Sequence, residues 1–116
     1  MAVVVYTGTN LSGAVGNAAV YTWSALATGD TGALLSSAAF ADRSVQVNGT
    51  FGGSTVTIEG SNDGTNYTTL TDTAGVALSF TSAGLKQILQ ITRYIRPLVT
   101  GGAAVAVNVN LLVVGK

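Results

Sequence analysis

Neither cysteine nor histidine occurs in these 116 residues. Their absence removes disulfides, thiolate metal sites, the commonest neutral metal ligand and the usual general base. Charge is scarce too: five Lys+Arg and five Asp+Glu make up 9% of the chain and cancel formally, where soluble domains carry about 25% charged residues. Cations this few, with Arg93 and Arg96 as the close pair, build no basic face for nucleic-acid phosphates. A formally neutral surface of Thr, Ser, Asn, Gly and Ala also lacks the net charge that keeps a free monomer soluble. Much of it is therefore expected to be covered inside a larger assembly.

The five carboxylates exclude more. Asp30, Asp42, Glu59, Asp63 and Asp72 fall in predicted turns and strand ends, and their spacing sets up no acid/base pair. Asn62, Asp63 and Asn66 have the polar density of a cation loop but a single carboxylate, too little charge for calcium. The glycine-rich pieces at 49–53 and 100–102 lack the Lys-Ser/Thr of a phosphate loop and lead into strands. A non-enzyme without cofactor or metal is expected. The start, Met-Ala-Val-Val-Val-Tyr followed by Thr7-Gly8-Thr9-Asn10, has no basic region of a signal peptide, so synthesis in the cytoplasm without export is expected. Residues 97–115 are uncharged over a membrane-spanning length. Yet Asn108 and Asn110 alternate there with Val107, Val109 and Leu111, which is the period of a strand and not of a membrane helix.

Period two is what the sequence has most of. In 54–70, Val56 and Ile58 alternate with Thr55, Thr57 and Glu59, then Asn62-Asp63-Gly64 turns the chain into Tyr67-Thr-Thr-Leu, the pattern of a β-hairpin. Upstream, Val45 and Val47 alternate with Gln46 and Asn48, and Asn48-Gly49 or Gly52-Gly53 would turn this strand into an antiparallel neighbour. Residues 20–26 form another strand, in which Trp23, the single tryptophan, is expected to fill the core. Val76, Leu78 and Phe80 read as the inward set of a further strand. Between 84 and 90, Leu85, Ile88 and Leu89 recur at i, i+3 and i+4, which predicts one short helical turn.

Residues 92–99 are a strand containing two arginines of opposite parity, so one needs a partner, and Glu59 is the candidate for an ion pair with Arg96. Pro97 lacks a ladder donor and predicts an edge or a bend. Residues 103–114 are a closing strand. Its last part, Leu111, Leu112, Val113 and Val114, is apolar on both faces, as is the run Val3, Val4, Val5 and Tyr6; both are expected to make assembly contacts. Residues 1–17, rich in small residues, read as an extended N-terminal arm, and 18–116 as a single domain. The fold class is all-β, an antiparallel β-sandwich of jelly-roll or immunoglobulin-like type.

Two resemblances rest on these residues. Glu59-Gly-Ser-Asn-Asp-Gly-Thr-Asn-Tyr67 with Arg93-Tyr-Ile-Arg-Pro97 is similar to discoidin-type galactose-binding sandwiches. That likeness implies a carbohydrate-binding module, with Phe51, Tyr67 and Tyr94 as the aromatics available to a glycan. The longer pattern from about Asp42 onward resembles small structural proteins of tailed bacteriophages, the capsid decoration or cement proteins. What this implies is a virion protein made in the host cytoplasm that binds the outer surface of the head. It would be a homotrimer whose partner is the major capsid protein. A tail or baseplate subunit is the variant that differs in location.

Overall fold

The computed structural model describes residues 2–11, 18–37 and 40–115. In chain order its strands are β1 (Val3–Val4), β2 (Tyr6–Asn10), β3 (Ala18–Leu26), β4 (Thr31–Gly32), β5 (Leu35–Ser36) and β6 (Asp42–Thr50). There follow β7 (Thr55–Ser61), β8 (Thr68–Thr69), β9 (Ser79–Phe80), β10 (Gly84–Gln87), β11 (Tyr94–Thr100) and β12 (Ala106–Val114). Among the described residues they make two sheets. A five-stranded one runs β10-β6-β12-β3-β2, and a seven-stranded one runs β1-β4-β11-β7-β8 with β5 also on β11 and β9 also on β7. Every pairing is antiparallel except β1 with β4.

The sheets pack face to face because each long strand alternates. Val45 and Val47 of β6, Val107 to Val113 at every second position of β12, and Trp23 and Leu26 of β3 are buried from one side. Val56 and Ile58 of β7 and Ile95 and Val99 of β11 are buried from the other. At about 25 cal/mol per Å² of apolar surface, this shared core is the main stabilising term. Trp23 fills it as expected, and its indole N–H donates to the Ala33 carbonyl at 3.0 Å, so the one polar atom of the ring is satisfied. The lone tryptophan and the lone proline meet over Gly32, where any Cβ would collide with the Trp23 ring and with Pro97 Cδ.

Several local expectations are corrected. Residues 84–87 are a strand and no helical turn forms: Gly84, Leu85, Lys86 and Gln87 pair with Val47, Gln46, Val45 and Ser44. The seven residues 84–90 are too few to repay helix nucleation, whereas the open flank of β6 offers ladder bonds at once. The even positions face inward, with Gly84 against Phe80 and Ile88 buried, and Leu85 is left 65% exposed. The strands β6 and β7 are not paired with each other. Gly52-Gly53, both at positive φ, bends the chain from one sheet to the other, so the two valine-rich faces meet across the core. Val76 lies in an exposed turn, while Leu78 and Phe80 are buried.

Pro97 sits in an inner strand. The N–H of Ile58, opposite it, donates to Leu78 and the Ile58 carbonyl accepts from Leu70, so the Pro97–Ile58 pair exchanges no ladder bonds. The missing donor faces the gap where the pairing of β11 passes from β5 to β4. The first residues are extended, but they pair within the chain: β1 on β4 and β2 on β3, with Asp30 accepting the Ala2 and Ala27 N–H groups. Residues 12–17, part of the expected arm, lie outside the described residues.

Candidate functional site

The outward face of the five-stranded sheet is assembled by register. One row runs Leu85, Gln46, Asn110, Thr22 and Thr7, and the next runs Gln87, Ser44, Leu112, Val20 and Thr9, each crossing all five strands. A third holds Asn48 opposite Asn108. Among the described residues these rows contain no charged side chain, and Asp42 lies at the margin beside Val114. Charge confined to one margin of a sheet face is unusual for a surface meant for water.

The amides are ordered. Thr22 Oγ1 donates to Asn110 Oδ1 at 2.8 Å, and Asn108 Nδ2 donates to Asn48 Oδ1 at 3.3 Å. Asn108 Oδ1 accepts the Ala25 N–H at 3.0 Å, where the β3–β12 register slips and Ala25 takes φ 56°. A bulge is thus closed by a side chain from the neighbouring strand. Leu11, Val20, Leu85 and Leu112 wall a groove of about 510 Å³ whose polar lining is Ser44, Gln46 and Asn110. A smaller hollow of about 150 Å³ adjoins it through Ser44 and Leu112 and reaches Asp42 and Val114.

The residues expected to make assembly contacts divide. Leu111 and Val113 point into the core and are sealed there, because β12 is an inner strand between β6 and β3; Leu112 and Val114 are half-buried on the outward face. Val3 and Val5 are exposed, Val4 packs on the core, and Tyr6 meets Tyr21 and Trp23 edge-on at 5.4 and 5.7 Å.

A part-buried arginine–carboxylate pair and two arginine–tyrosine contacts lie on the other sheet. Arg96 Nε donates to Glu59 Oε1 at 2.8 Å, and the guanidinium lies 3.7 Å from the centre of the Tyr67 ring. Burial raises the Tyr67 phenol above its ordinary pKa, against the pull of Arg96. Arg93 precedes its strand, stays exposed and covers Tyr94 at 4.9 Å. Tyr67 and Tyr94 thus each carry an arginine on the ring, and Phe51 packs against the core. In the loop between β7 and β8, Asp63 accepts the N–H groups of Thr65 and Asn66 and the Ser61 hydroxyl, which holds its carboxyl far below the usual carboxylate range. Among the described residues no three acidic groups come together to hold a metal ion.

Arg43 is the buried group that sequence reasoning passed over. It is 3% exposed, and its guanidinium donates to the carbonyls of Phe40, Gln90, Ser37 and Thr92 at 3.2–3.3 Å. Burial lowers its pKa from the ordinary arginine value. Its parity with Val45 and Val47 was the available signal.

The sequence matches no protein-family model and no curated protein. Among solved structures it is similar to the SPBc2 prophage-derived protein YomS, at 14% identity over 84% of this chain and 95% of that one, with TM-score 0.66. Weaker likenesses are to the K1 adhesin domain of Lys-gingipain from Porphyromonas gingivalis W83 (10% identity, 97% and 84% covered, TM-score 0.46) and to the cupin domain of Schizosaccharomyces pombe Cnp3 (11%, 96% and 60%, TM-score 0.43). What the first of these shows is the fold, a two-sheet sandwich shared over nearly all of the prophage protein.

Proposed function

We propose that this chain is a bacteriophage virion protein of the decoration type, which binds the outside of the head and bridges neighbouring major capsid protein subunits. The observation that carries the reading is the continuous, grooved face of the five-stranded sheet, whose three central rows hold no charge. Three nine-residue strands flanked by strands of four and five residues, about 4.8 Å apart with a rise of about 3.3 Å per residue, offer on the order of 600 Å², somewhat below the about 800 Å² per partner of a standard protein interface. Half-buried Leu112 and Val20 at its middle supply the desolvated centre, and the ordered amides around them supply directional bonds without a charge to dehydrate. The prophage origin of the protein that shares this fold supports the same setting. Such a protein acts by mass action: whatever state of the shell it binds, it stabilises.

Co-sedimentation with heads lacking this protein tests the reading. Wild type is expected to pellet with them, and Leu112→Glu, which buries a carboxylate at the centre of the contact, is expected to weaken binding by at least about a hundredfold. Arg96→Gln on the opposite sheet should bind as wild type does. Equal binding by Leu112→Glu would remove this face from the proposal, and no pelleting of the wild type would remove the proposal itself.

A further inference from the structure

We infer that β2 is a self-pairing edge, at which a second copy of this chain adds its own β2 antiparallel about a two-fold axis through Gly8. The inference concerns self-association and does not depend on the capsid reading.

Natural sheets blunt their edges with short strands, charges, prolines or bulges. Among the described residues, the other edges are blunted: β1 and β8 have two residues each, and β10 carries Lys86, which reaches Asp72 at 3.8 Å. The five residues of β2, Tyr-Thr-Gly-Thr-Asn, contain no charge, no proline and no bulge, and four of them are exposed. Leu11 N–H donates to the Ala18 carbonyl at 2.8 Å, continuing the register in which Thr9 faces Val20 and Thr7 faces Thr22 as the bonded pairs. The N–H and C=O of Gly8 therefore point out of the sheet. On the core side the Tyr21 ring lies against Gly8, where a Cβ would come within 2.8 Å of it, so the glycine edge is backed by an aromatic from its own neighbour.

On the face of Thr7 and Thr9 the sequence around Gly8 is close to a chemical palindrome: Val5 and Leu11, then Thr7 and Thr9, at equal distances on either side. Tyr6 and Asn10, which differ, alternate onto the other face. Antiparallel pairing centred on Gly8 sets Gly8 against Gly8 of the second copy, exchanging both bonds, and Thr7 against Thr9 in the closer, non-bonded pairs. Val5 then meets Leu11 at both ends. These two are 75% and 50% exposed in the single chain, large apolar side chains that the pairing would cover. Self-complementarity of this kind is what an isologous contact requires, and it favours a second copy over an unrelated strand.

The register gives a charge test. Thr7→Lys with Thr9→Lys places like charges opposite each other twice, whereas Thr7→Lys with Thr9→Glu places opposite charges at the same two contacts. Sedimentation equilibrium should show a wild-type dimer, a Lys/Lys variant weakened at least about tenfold, and a Lys/Glu variant restored to near wild type. In the wild type, exchange of the Gly8 amide should be slow at high concentration and fast on dilution, a readout that needs no variant. A wild-type monomer at all concentrations, a trimer, a Lys/Lys variant that dimerises like wild type, or a folded Lys/Glu variant as weak as Lys/Lys would each overturn the inference.

Discussion

Arg43 commits its guanidinium to four backbone carbonyls from the segments on either side of it, Ser37 and Phe40 before β6 and Gln90 and Thr92 after β10. One side chain thereby reinforces a junction where the Ser37 N–H and hydroxyl also donate to the Arg93 and Thr92 carbonyls. Arg43→Met keeps much of the volume and leaves those carbonyls short of a donor in a buried place. It should cost about 3 kcal/mol in urea denaturation, with Arg43→Lys in between because an ammonium cannot span four acceptors in one plane. A cost within about 0.5 kcal/mol of zero would mean that water reaches the carbonyls instead. Much at this scale was legible. Trp23 in the core and Glu59 beside Arg96 both followed from parity and from the scarcity of alternatives. Arg43 did not, because parity placed it inward while the general rarity of buried arginine argued against that, and the carbonyls that accept it come from loops whose course no period encodes.

The elements that alternate strictly were readable, and those defined by long-range pairing were not. β7, β11 and β12 could be placed from period two, but whether a strand is inner or edge depends on which distant strand lies beside it. That is why Leu111 and Val113 read as surface residues when β12 has neighbours on both sides. The spacing of Leu85, Ile88 and Leu89 fits a helix and a strand leaving its sheet equally well, and the open flank of β6 decided between them. The loop between β7 and β8 is local, and its behaviour follows from one carboxylate. Hydrogen bonds from Asn66 and Thr65 depress the Asp63 pKa, so their contribution is complete above the unfolded value of about 4 and fades as pH falls through the lower folded value. The amide-proton shifts of Thr65 and Asn66 should therefore be flat from neutral pH down to about 4 and change only in stronger acid. Asp63→Ala should show the altered shifts already at pH 7. A wild-type transition centred near the ordinary carboxylate value would show that the loop is not held this way.

Across the whole molecule, Glu59, Arg93, Arg96 and Asp63 belong to the seven-stranded side, whereas of the charged residues on the five-stranded sheet Arg43 is buried, Lys86 lies over Phe80 and Asp42 stands at the margin of the outward face. An association made through the central rows of that face has little Coulomb energy to screen. Its affinity should change less than about threefold between low and high salt, where a contact built on several exposed ion pairs would fall much further. Binding isotherms at the two ionic strengths decide the matter, and a steep loss with salt would move the contact to the seven-stranded sheet.

The place of β12 has a consequence for how the chain is made. Its partners on either side, β3 and β6, precede it by roughly ninety and sixty positions in the register that joins them. In a growing chain the flanks of β3 and β6 that β12 covers therefore have no native partner until residues 106–114 have been synthesised. Pairing over such separations is slow, because the loop must close before its contacts form. The sandwich is completed by insertion of a late strand into its middle, and until that moment the nascent chain is at its most vulnerable to pairing with the wrong neighbour.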